Sequence, residues 1–241
     1  MKCRLDKLIV ERGLADTRQK AQAMIMAGDI MIDQIVSTKS SAMVPEDANI
    51  ILREKPLYAS RGGIKLAHAL GEFCCNIEST IAMDVGASTG GFTDCLLKGG
   101  AIKVYAIDVG YGQLDYRLRS DSRVIPMERV NARYPFNISE QVDLIAIDVS
   151  FISLKKILPN VSRFLKPEGY IICLLKPQFE AGKELVGRRG IISDPDIHAK
   201  VLGDFIVWNI EHNFRIRGMT PSPILGASGN REFFVMLTLS K

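Results

Sequence analysis

The chain has 241 residues, 47% of them hydrophobic and 24% charged, with 31 lysines and arginines against 27 aspartates and glutamates for a net charge of +4. That length and composition fit a globular protein of one large domain plus a small appendage, and the basic lean leaves room for an anionic partner such as nucleic acid. No run of about 18 apolar residues is available to span a bilayer. The amino terminus "MKCRLDKLIVERG" is charged throughout and lacks the apolar core of a secretion signal, so a cytoplasmic protein without a membrane partner is expected. Cys3, Cys74, Cys75, Cys95 and Cys173 show no metal spacing and read as buried, reduced thiols, with no metal expected.

In chain order, "RLDKLIVERG" places Leu5, Leu8 and Ile9 on one helical face. Asp16 is expected to cap a second helix with Gln19 as its capping-box partner. Ala21, Met24 and Ile25 form that helix's apolar stripe, and Gly28 ends it. Short strands follow in "DIMID" and "ANIILR", with a turn at Asp33-Gln34. Two short helices leading into small strands, with Arg4, Lys7, Arg18 and Lys20 on the helices, resemble the αL RNA-binding motif; its turn commonly reads Asn-Gly, a departure here. The resemblance implies RNA binding by these four residues, whereas their charge alone reads as a solvated surface. Residues 1–55 are thus expected as an RNA-binding domain, 56–63 as a linker broken by Pro56 and two glycines, and 64–241 as the catalytic domain.

The remainder alternates strand and helix. Strand candidates are "IAMDVG" (81–86), "IKVYAID" (102–108), "VIPM" (124–127), "VDLIAID" (142–148) and "YIICLL" (170–175). Near-continuous apolar runs of this kind belong to parallel strands covered on both faces. "DPDIHAKVLGDFIVWNIEHN" is the longest helical segment, and "FRIRGMTPSPI" and "EFFVMLTLS" add a final antiparallel pair. The expected fold is α/β, a doubly wound, Rossmann-like sheet of about seven strands behind a small α+β domain.

In such sheets the ligand lies beyond the carboxyl ends of the strands, at the switch point. There stands "DVGASTGGFT" (84–93), with Gly86, Gly90 and Gly91. A triphosphate loop needs lysine where Phe92 stands. A nicotinamide dinucleotide wants glycine where Ser88 stands. S-adenosylmethionine carries no phosphate and needs a tight turn and carboxylates. Asp108 is placed to accept from its ribose hydroxyls and Asp84 to meet its amino group. The bland reading of both aspartates is a helix cap or a surface strand end.

"YASRGGIKL" (58–66), "DVGASTGGFT", "AIDVGYGQLDYRLR" (106–119), "IAIDVSFISL" (145–154), "LLKPQFEAG" (174–182) and "GNREFF" (229–234) occur in the order seen in the TlyA family of ribosomal RNA 2′-O-methyltransferases. The chain resembles that family over nearly its whole length, and its catalytic domain is similar to the FtsJ-type ribose methyltransferases. The resemblance implies a Lys-Asp-Lys-Glu tetrad of Lys65, Asp148, Lys176 and Glu232. It implies a cofactor site in which Val109 and Asn131 join Asp84, Gly86, Ser88, Gly90, Gly91, Phe92 and Asp108. It also implies a cytidine of ribosomal RNA, or of a ribosomal subunit, as target; which subunit stays open, the short amino terminus leaning toward the large-subunit version.

A ribose hydroxyl needs its proton removed or polarised, and Lys176 is the expected base. Burial, Lys65 and the sulfonium charge favour its neutral amine, whereas Asp148 opposes this and is expected to orient it. Lys65 and Glu232 would position the sugar. Arg188 and Arg189, in the glycine-rich segment 180–195, are further candidates for phosphate contact, equally readable as a mobile surface loop; the arginines between Arg117 and Arg133 share that ambiguity. The alternatives are a non-catalytic ribosome-assembly factor, against which the complete tetrad argues, and a membrane-lytic haemolysin, for which no amphipathic cationic helix speaks.

Overall fold

A computed structural model describes residues 1–53, 56–187 and 189–240. The chain forms two compact units, Met1–Pro56 and Leu57–Lys241.

In the first unit β1 (Lys2–Arg4) leads into α1 (Leu5–Glu11) and α2 (Arg18–Met26), followed by β2 (Ile30–Ile32), β3 (Ile35–Val36), β4 (Met43–Pro45) and β5 (Ile50–Leu52). Leu5, Leu8 and Ile9 of α1 meet Ala21 and Ile25 of α2 over Ile30 and Val44, which makes a core of this unit's own. The cap of α2 is Thr17 rather than Asp16. Thr17 has extended backbone and its hydroxyl accepts from the Lys20 amide at 3.2 Å, three residues on, as a cap must. Asp16, one residue too early, instead accepts from Lys20 Nζ at 2.6 Å. Gly28 follows the helix at φ +75°, and Asp33 and Gln34 both take positive φ, the conformation a two-residue hairpin turn between β2 and β3 requires.

The second unit is a three-layer sandwich. Its elements are α3 (Arg61–Glu72), β6 (Ile81–Val85), α4 (Gly91–Lys98), β7 (Lys103–Asp108), α5 (Tyr116–Arg119), β8 (Val124–Glu128), β9 (Val142–Ile147), α6 (Leu158–Val161), β10 (Leu165–Leu175), α7 (Pro177–Glu180), α8 (Pro195–Glu211), β11 (Phe214–Pro221) and β12 (Phe233–Leu239). The seven strands lie in the order β11-β12-β10-β9-β6-β7-β8. The five from β10 to β8 are parallel, and β12 and β11 add an antiparallel edge. The segment 56–63 divides between the units: Pro56 ends the first, and Leu57 onward belongs to the second.

Alternation along each strand sorts the core. Met83, Val85, Ile145, Ile147, Ile171 and Cys173 face α6 and α8, where Leu158, Val161 and Phe205 close the layer. Ala82, Ala106, Leu144, Ala146 and Ile172 face α3 and α4, meeting Leu66, Ala69, Phe92 and Leu96. The three alanines let the second pair of helices approach the sheet closely. Cys95 and Cys173 are buried as expected, but Cys74 is exposed, at φ +52° just after α3.

After β8 the chain returns across the sheet to β9, so β6 and β9 neighbour each other while their crossovers leave in opposite directions. This is the switch point of the sheet, and it opens a crevice at the ends of β6 and β9.

Candidate active site

Gly86 directly follows β6 at that crevice with φ +87°, and a Cβ there would lie 2.2 Å from the Asp148 carbonyl oxygen. Only glycine lets the two strand ends come this close. The Asp148 amide in turn donates to the Val85 carbonyl at 2.9 Å. Ser88 follows at φ +47°, and Gly90 at φ +93° forms the left-handed N-cap of α4. Asp108 at the end of β7 holds the turn: its carboxylate accepts from the Ser88 amide at 2.8 Å and from the Gly110 amide at 2.7 Å.

Two cavities meet at the turn. One, of about 410 Å³, is lined by Ser88, Asp108, Val109, Asn131, Ser150 and Phe151 among others; Gly86 and Asp148 complete its floor. The other, of about 380 Å³, is bounded by Ser60, Arg61, Lys65, Gly91, Phe92 and Ala227. Gly86, Ser88 and Asp148 belong to both. The larger cavity fits an adenosyl group, with apolar Val109, Val149 and Ile152 for the base and the Asp108 carboxylate and Asn131 amide for polar contacts. No cation stands on the turn at position 92, and Phe92 is instead buried with its ring 6.2 Å from that of Phe234. The donor set therefore suits a phosphate-free cofactor.

Gly90 and Asp84 line neither cavity. Asp84 lies fully buried beneath the turn, where its strand neighbours Ala106 and Ala146 leave room for it. Its Oδ2 accepts from Thr93 Oγ1 of α4 at 2.6 Å, and its Oδ1 makes no side-chain hydrogen bond among the described residues. Burial pushes its carboxyl up to about 7, against the Thr93 hydrogen bond.

The four expected catalytic side chains form two ion pairs. Lys65 Nζ from α3 meets Glu232 Oε2, just before β12, at 2.5 Å, and both are buried. Lys176 Nζ, immediately after β10, lies 2.6 Å from Asp148 Oδ1 in an ion pair and donates to Ser150 Oγ at 2.8 Å. Lys65 and Asp148, one from each pair, line the same cavity. Nearby, the Asn230 side chain of "GNREFF" accepts from the Ile192 amide and donates to the Gly190 carbonyl, tying the glycine-rich segment to the strand that follows Glu232.

The sequence did not mark Ser150, Phe151, Gln113 or Glu180. Phe151 is 91% exposed with φ +63°, a strained conformation for a bulky residue, and its ring lies 5.1 Å from that of Phe179. Gln113 lines the larger cavity and accepts from Ser88 Oγ. The positive φ of Phe151 leaves no trace in an ordinary Asp-Val-Ser-Phe string, and the others emerge only from contacts distant in sequence.

In the first unit Arg4 and Arg18 converge on the fully buried Asp6, which holds both guanidiniums at 2.9 Å. Arg4's hydrogen bonds, chiefly, keep the Asp6 carboxyl well below the usual carboxylate range against the cost of burial. Lys7 is exposed. Arg189 is exposed in its turn, and Arg188 lies outside the described residues. Of the later arginines, Arg117, Arg119 and Arg123 pair with Asp115, Glu128 and Asp121, whereas Arg129 and Arg133 lie over the rings of Tyr111 and Tyr134. Among the described residues no helix is long and apolar enough to cross a membrane, and no group of three or more metal-ligating side chains occurs.

Comparison with known proteins agrees with this architecture. Residues 58–239 match the FtsJ-like methyltransferase family, and residues 3–50 match the S4 domain. The chain is 40% identical to the 16S/23S rRNA (cytidine-2′-O)-methyltransferase TlyA of Mycobacterium tuberculosis, over 98% of its own length and 90% of that protein. It is 42% identical to hemolysin A of Brachyspira hyodysenteriae, over 95% of its length and 97% of that protein. A solved structure from Streptococcus thermophilus that carries a hemolysin label is 40% identical, with a TM-score of 0.74, covering all of this chain and 89% of the other. The chain belongs to the FtsJ-like methyltransferase family, of the TlyA kind, with an S4 domain ahead of the catalytic fold.

Proposed function

We propose that the protein transfers a methyl group from S-adenosylmethionine to a ribose 2′-hydroxyl of ribosomal RNA, at a cytidine. The observation that carries this reading is the pairing of Lys176 with Asp148 and of Lys65 with Glu232 around cavities that share the glycine turn. Two TlyA relatives are described as cytidine 2′-O-methyltransferases of rRNA, which supports the choice of target. A ribosomal substrate also supports a cytoplasmic location.

The cofactor supplies a methyl group already activated on a sulfonium, so the chain has only to deliver a nucleophile. Gly86, Ser88, Asp108, Val109 and Asn131 would hold the adenosyl part, and the turn through Gly91 and Phe92 would receive the methionine part. Asp84 supports that turn from beneath. Lys176 would take the 2′-hydroxyl proton at Nζ and so free that oxygen as the nucleophile, and the sulfonium would leave as a neutral thioether. Asp148 fixes the direction of that amine, and Lys65 and Glu232 position the sugar. Arg4, Lys7, Arg18, Lys20 and Arg189 contact RNA phosphate, and Asp6 preorganises the first and third of these.

Purified protein incubated with ribosomal subunits and methyl-labelled cofactor should label rRNA in a form resistant to alkaline cleavage at the modified ribose. Lysis of liposomes by the same preparation, with no label in rRNA, would support the haemolysin reading instead.

A further inference from the structure

The hydrogen bond from Lys176 to Ser150 stands outside the tetrad. An ammonium or amine on a flexible four-carbon stem must be held in one rotamer before it can serve a particular oxygen atom. Asp148 Oδ1 lies 2.6 Å from Lys176 Nζ and gives the amine one fixed contact, and Ser150 Oγ, accepting from it at 2.8 Å, gives a second. Ser150 also lines the larger cavity, so its hydroxyl links the lysine to the place where the methyl donor lies.

The segment that carries Ser150 is anchored at both ends. Asp148 is tied to β6 through the Val85 carbonyl. At the other end, Glu180 accepts from Ser153 Oγ at 2.6 Å and from the Leu154 amide at 2.7 Å. Glu180 belongs to α7, which begins directly after Lys176. The helix following the lysine therefore also holds the loop that presents the lysine's acceptor, and the connection closes on itself through Ser150, Ser153, Glu180 and Lys176. Phe179 of the same helix packs against Phe151 and lies 5.9 Å from Lys176 Nζ. The loop thus bears on the lysine from two sides.

We infer that Ser150 is a positioning residue for methyl transfer, fixing the direction of Lys176 Nζ together with Asp148, with Glu180 holding the Ser150 loop in place. This rests on the proposed role of Lys176. The test compares wild type, Ser150→Ala and Ser150→Thr in methyl transfer to ribosomal subunits, and records the Lys176 Hε signals of the full-length protein labelled with ¹³Cε-lysine.

Removing the hydroxyl should lower kcat about 10–100-fold, the cost of a small misplacement of a catalytic group, with KM for rRNA and cofactor affinity unchanged. Threonine retains the hydroxyl and should restore most of the rate. A lysine held in one rotamer gives two distinct Hε signals, which should merge in Ser150→Ala and separate again in Ser150→Thr. An active wild type with unchanged kcat in Ser150→Ala, or unchanged Hε signals there, overturns the role of Ser150 alone. A wild type that methylates no rRNA overturns the function on which it rests.

Discussion

In the proposed mechanism the chemistry turns on Lys176, whose amine reaches both Asp148 and Ser150 from the end of a central strand. Lys176→Ala should lower single-turnover methyl transfer by at least the ~10²–10⁴ typical of a lost general base, with cofactor and RNA still bound. Lys176→Arg should not restore it, since a guanidinium stays protonated and cannot accept the hydroxyl proton. Near-normal transfer by the arginine variant would leave position 176 an electrostatic role only. Asp108 is committed to two backbone amides of the turn and also faces the larger cavity. Asp108→Ala should weaken cofactor binding by roughly 1.5–3 kcal/mol, about one to two decades in Kd, as read by calorimetry. Unchanged affinity would remove Asp108 from the site. Asp84 gives a pH signature. Its folded carboxyl sits near 7 against an ordinary value of 3.8, so the folded state holds the proton more tightly. Its contribution therefore falls as pH rises from about 4 to about 7 and is lost above that. Relative to Asp84→Asn, the cofactor-free wild type should lose about 2–3 kcal/mol between pH 5 and pH 8 in urea unfolding. A difference that does not change with pH would show that Asp84 does not titrate in this range.

At the scale of elements, the glycine turn is where two strands and a helix are forced together. Gly86→Ala would need a left-handed alanine whose Cβ overlaps the Asp148 carbonyl. The conformation alone costs about 1–2 kcal/mol, and the overlap adds to it. A Tm lower by about 4–8 °C and loss of cofactor binding are expected for a chain of this size. A variant with wild-type Tm and affinity would mean that the close approach of β6 and β9 is not needed. The central strands were legible because a parallel strand covered on both faces is apolar at nearly every position, as in "VDLIAI" and "YIICLL". The pairing of β1 with β4 was not, because three-residue strands such as Lys2–Arg4 carry no readable period. The cap of α2 was misplaced by one residue because Asp16 and Thr17 are both good caps in sequence, and only backbone conformation chooses between them. The types and order of the tetrad residues came from family resemblance. Their division into two pairs, and the contact of Ser150 with a lysine 26 residues away, exist only once the strands are side by side.

At the scale of the molecule, each unit has its own hydrophobic core, so RNA docking is expected to separate from chemistry. Removing residues 1–52 should leave cofactor affinity intact and sharply weaken binding to ribosomal subunits. The RNA affinity of the whole chain should fall steeply with salt, because neutralised phosphates release counterions. A truncated protein that bound and methylated subunits normally would separate the S4 unit from docking. On the proposed function this fold methylates a ribose oxygen of ribosomal RNA. The most direct test is nucleoside mass mapping of rRNA from cells with and without the gene. A 2′-O-methylcytidine should be present in the first and absent from the second, restored by the wild-type gene and not by Lys176→Ala. Identical maps from the two strains, or a lost methyl group that sits on a base, would contradict it.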